Sequence, residues 1–199
     1  MTTPPIPRIC VIGDELVAGV GDPRGLGWVG RVAARTTVEP RPEFYHLAAP
    51  QETTSGLFGR WESEVERRWM PEADNRLIVA LGSADVIADL SLARSRLNLA
   101  NILDAAQARR IPTYVVGPPP ANPDDAPQIA ELSAALQDVA QRRRVPFVDT
   151  FTPLHPHEQW NADIASSAQH LPGQAGYGLL AWLVLHSGWH EWIGQEPTS

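Results

Sequence analysis

Short apolar runs alternate with longer stretches of helical periodicity along the chain. Ile9-Cys-Val-Ile12, Phe44 to Leu47, Leu77-Ile-Val-Ala-Leu81, Thr113-Tyr-Val-Val116 and Val145-Pro-Phe-Val148 have the length and apolar content of buried strands. Pro146, which lacks a ladder N–H, places the last of these near a sheet edge. Between them the apolar spacing changes to three and four. This predicts helices over Gly27 to Arg35, Thr53 to Trp69, Leu92 to Arg110, Ile129 to Arg143 and Ala175 to Leu185. Leu57, Trp61 and Val65, spaced four apart, form one such stripe, and Trp182, Trp189 and Trp192 are expected to pack the last helix onto the sheet. Strands separated by helices of this length need right-handed crossovers, and so a parallel sheet covered on both faces. No internal repeat or interdomain linker interrupts the pattern, and residues 1–199 read as one domain. In a three-layer α/β fold, ligands sit beyond the carboxyl ends of the strands. Candidate chemistry is therefore sought in residues 13–27, 46–54, 82–88, 117–127 and 149–172.

Charge narrows that chemistry. The 199 residues carry a formal net charge of −7, and all 16 cationic side chains are arginine. Without lysine there is no Schiff base and no phosphate-gripping P-loop lysine. An acidic chain lacking a concentrated basic face is also a poor partner for nucleic acid or an anionic membrane. The Arg142-Arg143-Arg144 run reads as the solvated last turn of a helix. A single cysteine, Cys10, excludes an internal disulfide and every cysteine-cluster metal site, and fits a reducing compartment. The first residues lack the charged-then-apolar pattern of a signal peptide. The longest apolar run, Tyr177 to Leu185, is about half of the ~20 residues a spanning helix needs. The expectation is a soluble, cytoplasmic protein with no cofactor, acting on or binding a small molecule.

The segments after the strands carry a pattern of their own. Gly13-Asp-Glu-Leu-Val-Ala-Gly19 and its continuation Gly21 to Arg31, Glu52-Thr-Thr-Ser-Gly56 with Arg60-Trp-Glu62, Leu81-Gly-Ser-Ala-Asp85, Phe147 to Leu154 and Pro172 to Tyr177 follow one another in order. Together they resemble the sequence blocks of the SGNH or GDSL hydrolase family, in its arylesterase-type actinobacterial branch. The resemblance spans nearly the whole chain and implies a flavodoxin-like order for a sheet of about five parallel strands. It also implies a serine after the Gly-Asp of the first block, a block-two glycine and a block-three asparagine as oxyanion donors, and an aspartate and a histidine three apart near the end. At those places the chain has Glu15, Gln51, Ala84, Ala168 and Leu171. A one-residue insertion would bring His170 to the histidine position and Ser167 to the aspartate position; the ungapped register retains more matches.

A serine mechanism requires a hydroxyl that an imidazole can deprotonate and donors aimed at the developing oxyanion. Glu15 and Ala84 supply neither, and Ser83 has no evident base, so ordinary serine-esterase chemistry is not expected. Glu15 reads in two ways. Asp14-Glu15 is an acidic pair well ahead of a helix, or the Glu15 carboxylate projects into the cleft as acid, base, nucleophile or counter-ion for a cationic ligand. Gln51 either offers its amide or fills the vacated oxyanion hole. His46 and His170 are candidate partners for Glu15, and Asp14, Ser83 and Asp85 candidate ligand-binding residues. Asp85 has the alternative of anchoring its own loop. His155-Pro-His157 reads as a flexible loop rather than a metal site, since two imidazoles lack a third ligand. Three functions remain: a repurposed enzyme using Glu15, a non-catalytic pseudohydrolase that binds a ligand or protein, and a family-type hydrolase with an unexpected nucleophile.

Overall fold

The computed structural model describes residues 4–194. Five strands, β1 (Pro7–Gly13), β2 (Glu43–Ala48), β3 (Asp74–Ala80), β4 (Thr113–Val116) and β5 (Phe147–Val148), form one sheet in the order β2-β1-β3-β4-β5, parallel throughout. This is the flavodoxin-like order. Alternate residues of each central strand enter different cores, as the two-residue strand repeat requires. Ile9 and Val11 of β1 and Ile78 of β3 pack on one side, and Cys10, Ile12, Leu77 and Val79 on the other.

The first core is closed by α2 (Gly27–Arg35) and α9 (Gln174–Val184), the second by α3 (Thr54–Glu66), α5 (Leu92–Ala108) and α6 (Ala126–Arg142). Side-chain caps set two of these starts. The Thr53 hydroxyl accepts the Gly56 N–H at 3.1 Å, and the Ser91 hydroxyl accepts the Arg94 N–H at 3.3 Å. The expected strands and long helices are all present, with no end shifted by more than three residues.

The one-turn helices α1 (Glu15–Ala18), α4 (Ala84–Ile87), α7 (Phe151–Leu154) and α10 (His190–Ile193) and the two-turn α8 (Glu158–Ala165) left no periodic signal to read. Asp14 and Glu15 therefore do not stand ahead of a helix: they start one. His155-Pro-His157 is the exposed turn between α7 and α8. His155 stacks on Phe151, and the His157 ring caps α8 at the Trp160 N–H. Trp182 is a further correction. It is 56% exposed and stacks on His186, while Trp189 is fully buried against Phe44 and Tyr114. No helix among the described residues is long and apolar enough to cross a membrane.

Candidate functional site

Every strand end delivers residues to one cleft of about 760 Å³. From β1, the chain leaves Gly13 and turns at Asp14, whose Oδ1 accepts the Leu16 N–H at 3.0 Å and so caps α1. The other oxygen, Oδ2, presses on Gly82 beyond β3: a Cβ there would lie 1.7 Å from it, so only glycine fits. Asp14 is 6% exposed, and burial, with the charge of Glu15 as the second cause, pushes its pKa up to about 7.

Glu15 is the first helical residue of α1 and half-buried in the cleft. Its Oε2 accepts the backbone N–H of Gln51 at 2.7 Å. Gln51 has φ 53°, a left-handed conformation that glycine adopts freely and other residues seldom do. Its neighbours hold it there. The Ala49 N–H bonds Gly13 O at 2.9 Å, and Arg60 pairs with Glu52 while donating to Leu47 O at 2.8 Å and Gly13 O at 3.2 Å. On the far side, Thr54 is fixed by Asp85. The Gln51 main-chain donor thus survives at the position where the resemblance implies a glycine donor, and the Glu15 carboxylate occupies it. Beside the role expected for the Gln51 side chain, its backbone N–H has one of its own.

Asp85 does not line the cleft. Buried behind it, the carboxylate accepts the Thr54 N–H and hydroxyl, each at 2.7 Å, and the Ser95 hydroxyl at 2.5 Å, while Asn98 donates to Thr54 and Ser55. It anchors the loops instead of touching a ligand. His46 lies on β2 opposite Val11 and is also absent from the cleft lining. Ser83 and Ala84 do line it, and among the described residues the Ser83 hydroxyl bonds no imidazole.

The last wall follows α8. Ser167 Oγ accepts the N–H groups of Gln169 and Leu171 at 3.3 Å each, a local turn that leaves His170 at φ 52° and brings both His170 and Leu171 to the cleft. Asp163 Oδ2 fixes the exit by accepting the Gly173 and Gly176 N–H groups at 2.7 and 2.8 Å. Neither His170 nor His46 is hydrogen-bonded to Glu15 among the described residues. Opposite them the buried Trp160 donates its Nε1–H to Pro120 O at 3.1 Å, and Asp125 stands at the start of α6. Trp160, Pro119, Pro120, Ile87 and Asp125 were not foreseen as individual site residues. Their only sequence signal was position in or beside a segment following a strand. No group of three histidine, cysteine, aspartate or glutamate side chains placed to hold a metal occurs among the described residues.

A model of the GDSL-like lipase/acylhydrolase family matches residues 11–179. Among solved structures, a lipase/acylhydrolase from Enterococcus faecalis is 20% identical with a TM-score of 0.76, covering 98% of this chain and 100% of that one. An acetylxylan esterase from Geobacillus stearothermophilus is 16% identical, TM-score 0.75, covering 98% of each chain. A psychrotrophic esterase from Pseudoalteromonas is 17% identical, TM-score 0.70, covering 94% of this chain and 99% of that one. At these identities the likeness is one of fold. No curated protein matches the sequence.

Proposed function

The chain belongs to the GDSL-like lipase/acylhydrolase family, and we propose that Glu15, which falls where the resemblance implies the serine nucleophile, makes this a small-molecule cleft run by a carboxylate instead of a serine. The observation that carries this reading is the 2.7 Å bond from the Gln51 N–H to Glu15 Oε2 at the head of an open cleft. A backbone donor locks the carboxylate in place as it would lock a catalytic base or carboxylate nucleophile. Asp14 behind it, with a pKa of about 7, is a group able to exchange a proton near neutrality. His170 is the one histidine in the cleft lining.

The same bond favours a second reading, a pseudohydrolase that binds its ligand without turning it over. A filled main-chain donor has nothing left to offer an oxyanion. One experiment separates the two. Wild type and Glu15→Gln are incubated with a complex extract of small metabolites and followed by mass spectrometry. The enzyme reading expects at least one compound consumed by wild type and spared by the variant, at an unchanged melting temperature. The binding reading expects a compound retained by wild type and recovered intact. Labelling of Ser83 by a fluorophosphonate, or equal consumption by both proteins, overturns the carboxylate reading.

A further inference from the structure

The charge of the cleft is one-sided. Asp14, Glu15 and Asp125 line it, and none of the chain's arginines does; His170 is its one basic group. Elsewhere the chain spends arginines on its carboxylates. Arg31 pairs with Asp22, Arg60 with Glu52, Arg76 with Asp74, Arg96 and Arg142 with Asp138, and Arg143 with Asp104. Among the described residues neither Asp14 nor Glu15 has an ion-pair partner. For Asp14 this is costly, because its carboxylate is more than nine-tenths buried and the charges that act on it, those of Glu15 and Glu52, are of its own sign. Two adjacent carboxylates, one nearly sealed from water, open into a cavity without a counter-charge. A cation entering the cleft would supply the counter-charge that the chain does not.

The remaining walls say what the cation is attached to. Ile87, 71% exposed, and Val20, 43% exposed, stand in the cleft lining with Pro119, Pro120, Trp160 and Leu171. Exposed aliphatic side chains cost hydration unless a partner covers them. A bare metal ion or a small hydrophilic cation would leave them wet. We infer that the cleft takes an amphipathic organic cation, with a charged nitrogen seated at the Glu15 and Asp14 carboxylates and a hydrocarbon body covering the exposed aliphatic side chains of Ile87 and Val20. This rests on the reading of the cleft as a Glu15-centred small-molecule site and names its ligand class.

Three probes of one chain length test it: hexylammonium, 1-hexanol and hexanoate, titrated by NMR with the cleft resonances assigned. Hexylammonium is expected to shift Glu15, Ala84 and Trp160, to bind at least about tenfold tighter than hexanol, and to exceed hexanoate by more. Glu15→Gln is expected to weaken the ammonium at least about tenfold and leave hexanol unchanged. Raising the pH from 6 to 8 ionises Asp14 and is expected to tighten the ammonium at least about threefold. The groups around Asp14 that carry or can carry charge are Glu15 on its own turn, Glu52 before α3 and Tyr177 of α9, and His170 also lines the cleft. His170→Asn, which removes the one basic side chain of the cleft lining and tolerates the left-handed φ, is measured beside wild type and is expected to retain the pH effect. Hexanol or hexanoate bound in the cleft as tightly as the ammonium overturns the ligand class and leaves the small-molecule cleft standing. No shift at any cleft residue with any probe overturns both.

Discussion

Asp14 and Asp22 follow the same strand eight residues apart and are buried almost equally, and burial raises the pKa of both, yet their net shifts are opposite. Asp22 is fully served by the protein. Its Oδ2 accepts Arg31 Nη1–H at 2.5 Å and the Gly27 and Leu26 N–H groups at 2.9 and 3.2 Å, while Oδ1 accepts the Arg24 N–H at 3.1 Å. The Arg31 guanidinium beside it is the main reason that its pKa is lowered to about 2. Asp14 keeps the Leu16 N–H, receives no cation, and faces Glu15, so its pKa rises to about 7. A buried carboxylate whose charge the chain neutralises is part of the scaffold. One left uncompensated beside an open cleft costs stability when it is ionised, and a proton or a bound cation would relieve that cost.

The largest effect is expected at the scaffold member. Asp22→Asn leaves Arg31 buried without its counter-charge and is expected to cost about 3–5 kcal/mol in denaturant unfolding at neutral pH. Because the folded pKa of Asp22 lies below its unfolded value, wild type has this contribution above about pH 4 and loses it as pH falls toward 2. The variant is expected to lack that acid-side slope. A loss under about 1 kcal/mol would break the comparison at the Asp22 end.

Asp14→Asn carries the opposite sign. The folded pKa of Asp14 lies above its unfolded value, so wild type pays for ionisation as pH rises from about 4 through 7. The variant is expected to be about 1–3 kcal/mol more stable than wild type at pH 8 and indistinguishable from it at pH 4. Equal destabilisation at both pH values would make Asp14 a second scaffold carboxylate.

The smallest effect is at Glu15, half-buried and bonded to one backbone donor. Glu15→Gln is expected to change unfolding free energy by less than about 1 kcal/mol, because a neutral amide oxygen can still accept the Gln51 N–H. A larger loss would assign Glu15 to the scaffold and sharpen the boundary of the cleft.

The regular elements were legible because each strand and long helix has a repeating apolar pattern. Leu57, Trp61 and Val65 are buried in the second core, as their spacing requires. The one-turn helices were not legible, since four residues show no period, and it is α1 and α4 that carry Glu15 and Ala84. Asp85 shows a second limit. Its place in a strand-end motif favours a loop anchor over a ligand contact without naming what is anchored, and the positions of Thr54, Ser95 and Asn98 supply that. The pairing of Glu15 with a histidine failed for the same reason: 36 residues of chain separate it from Gln51, the partner it has.

By itself the sequence determined the layered α/β architecture, the strand-end segments where a site would lie and the residue types available there. Apolar periodicity and chain order are local properties, and they suffice for those. The tertiary structure alone decided that the Gln51 N–H meets the Glu15 carboxylate, that Asp85 faces the scaffold, and that no arginine comes to Asp14. Charge compensation and hydrogen bonding act over a few ångströms between residues distant in sequence, and only the folded chain sets those distances.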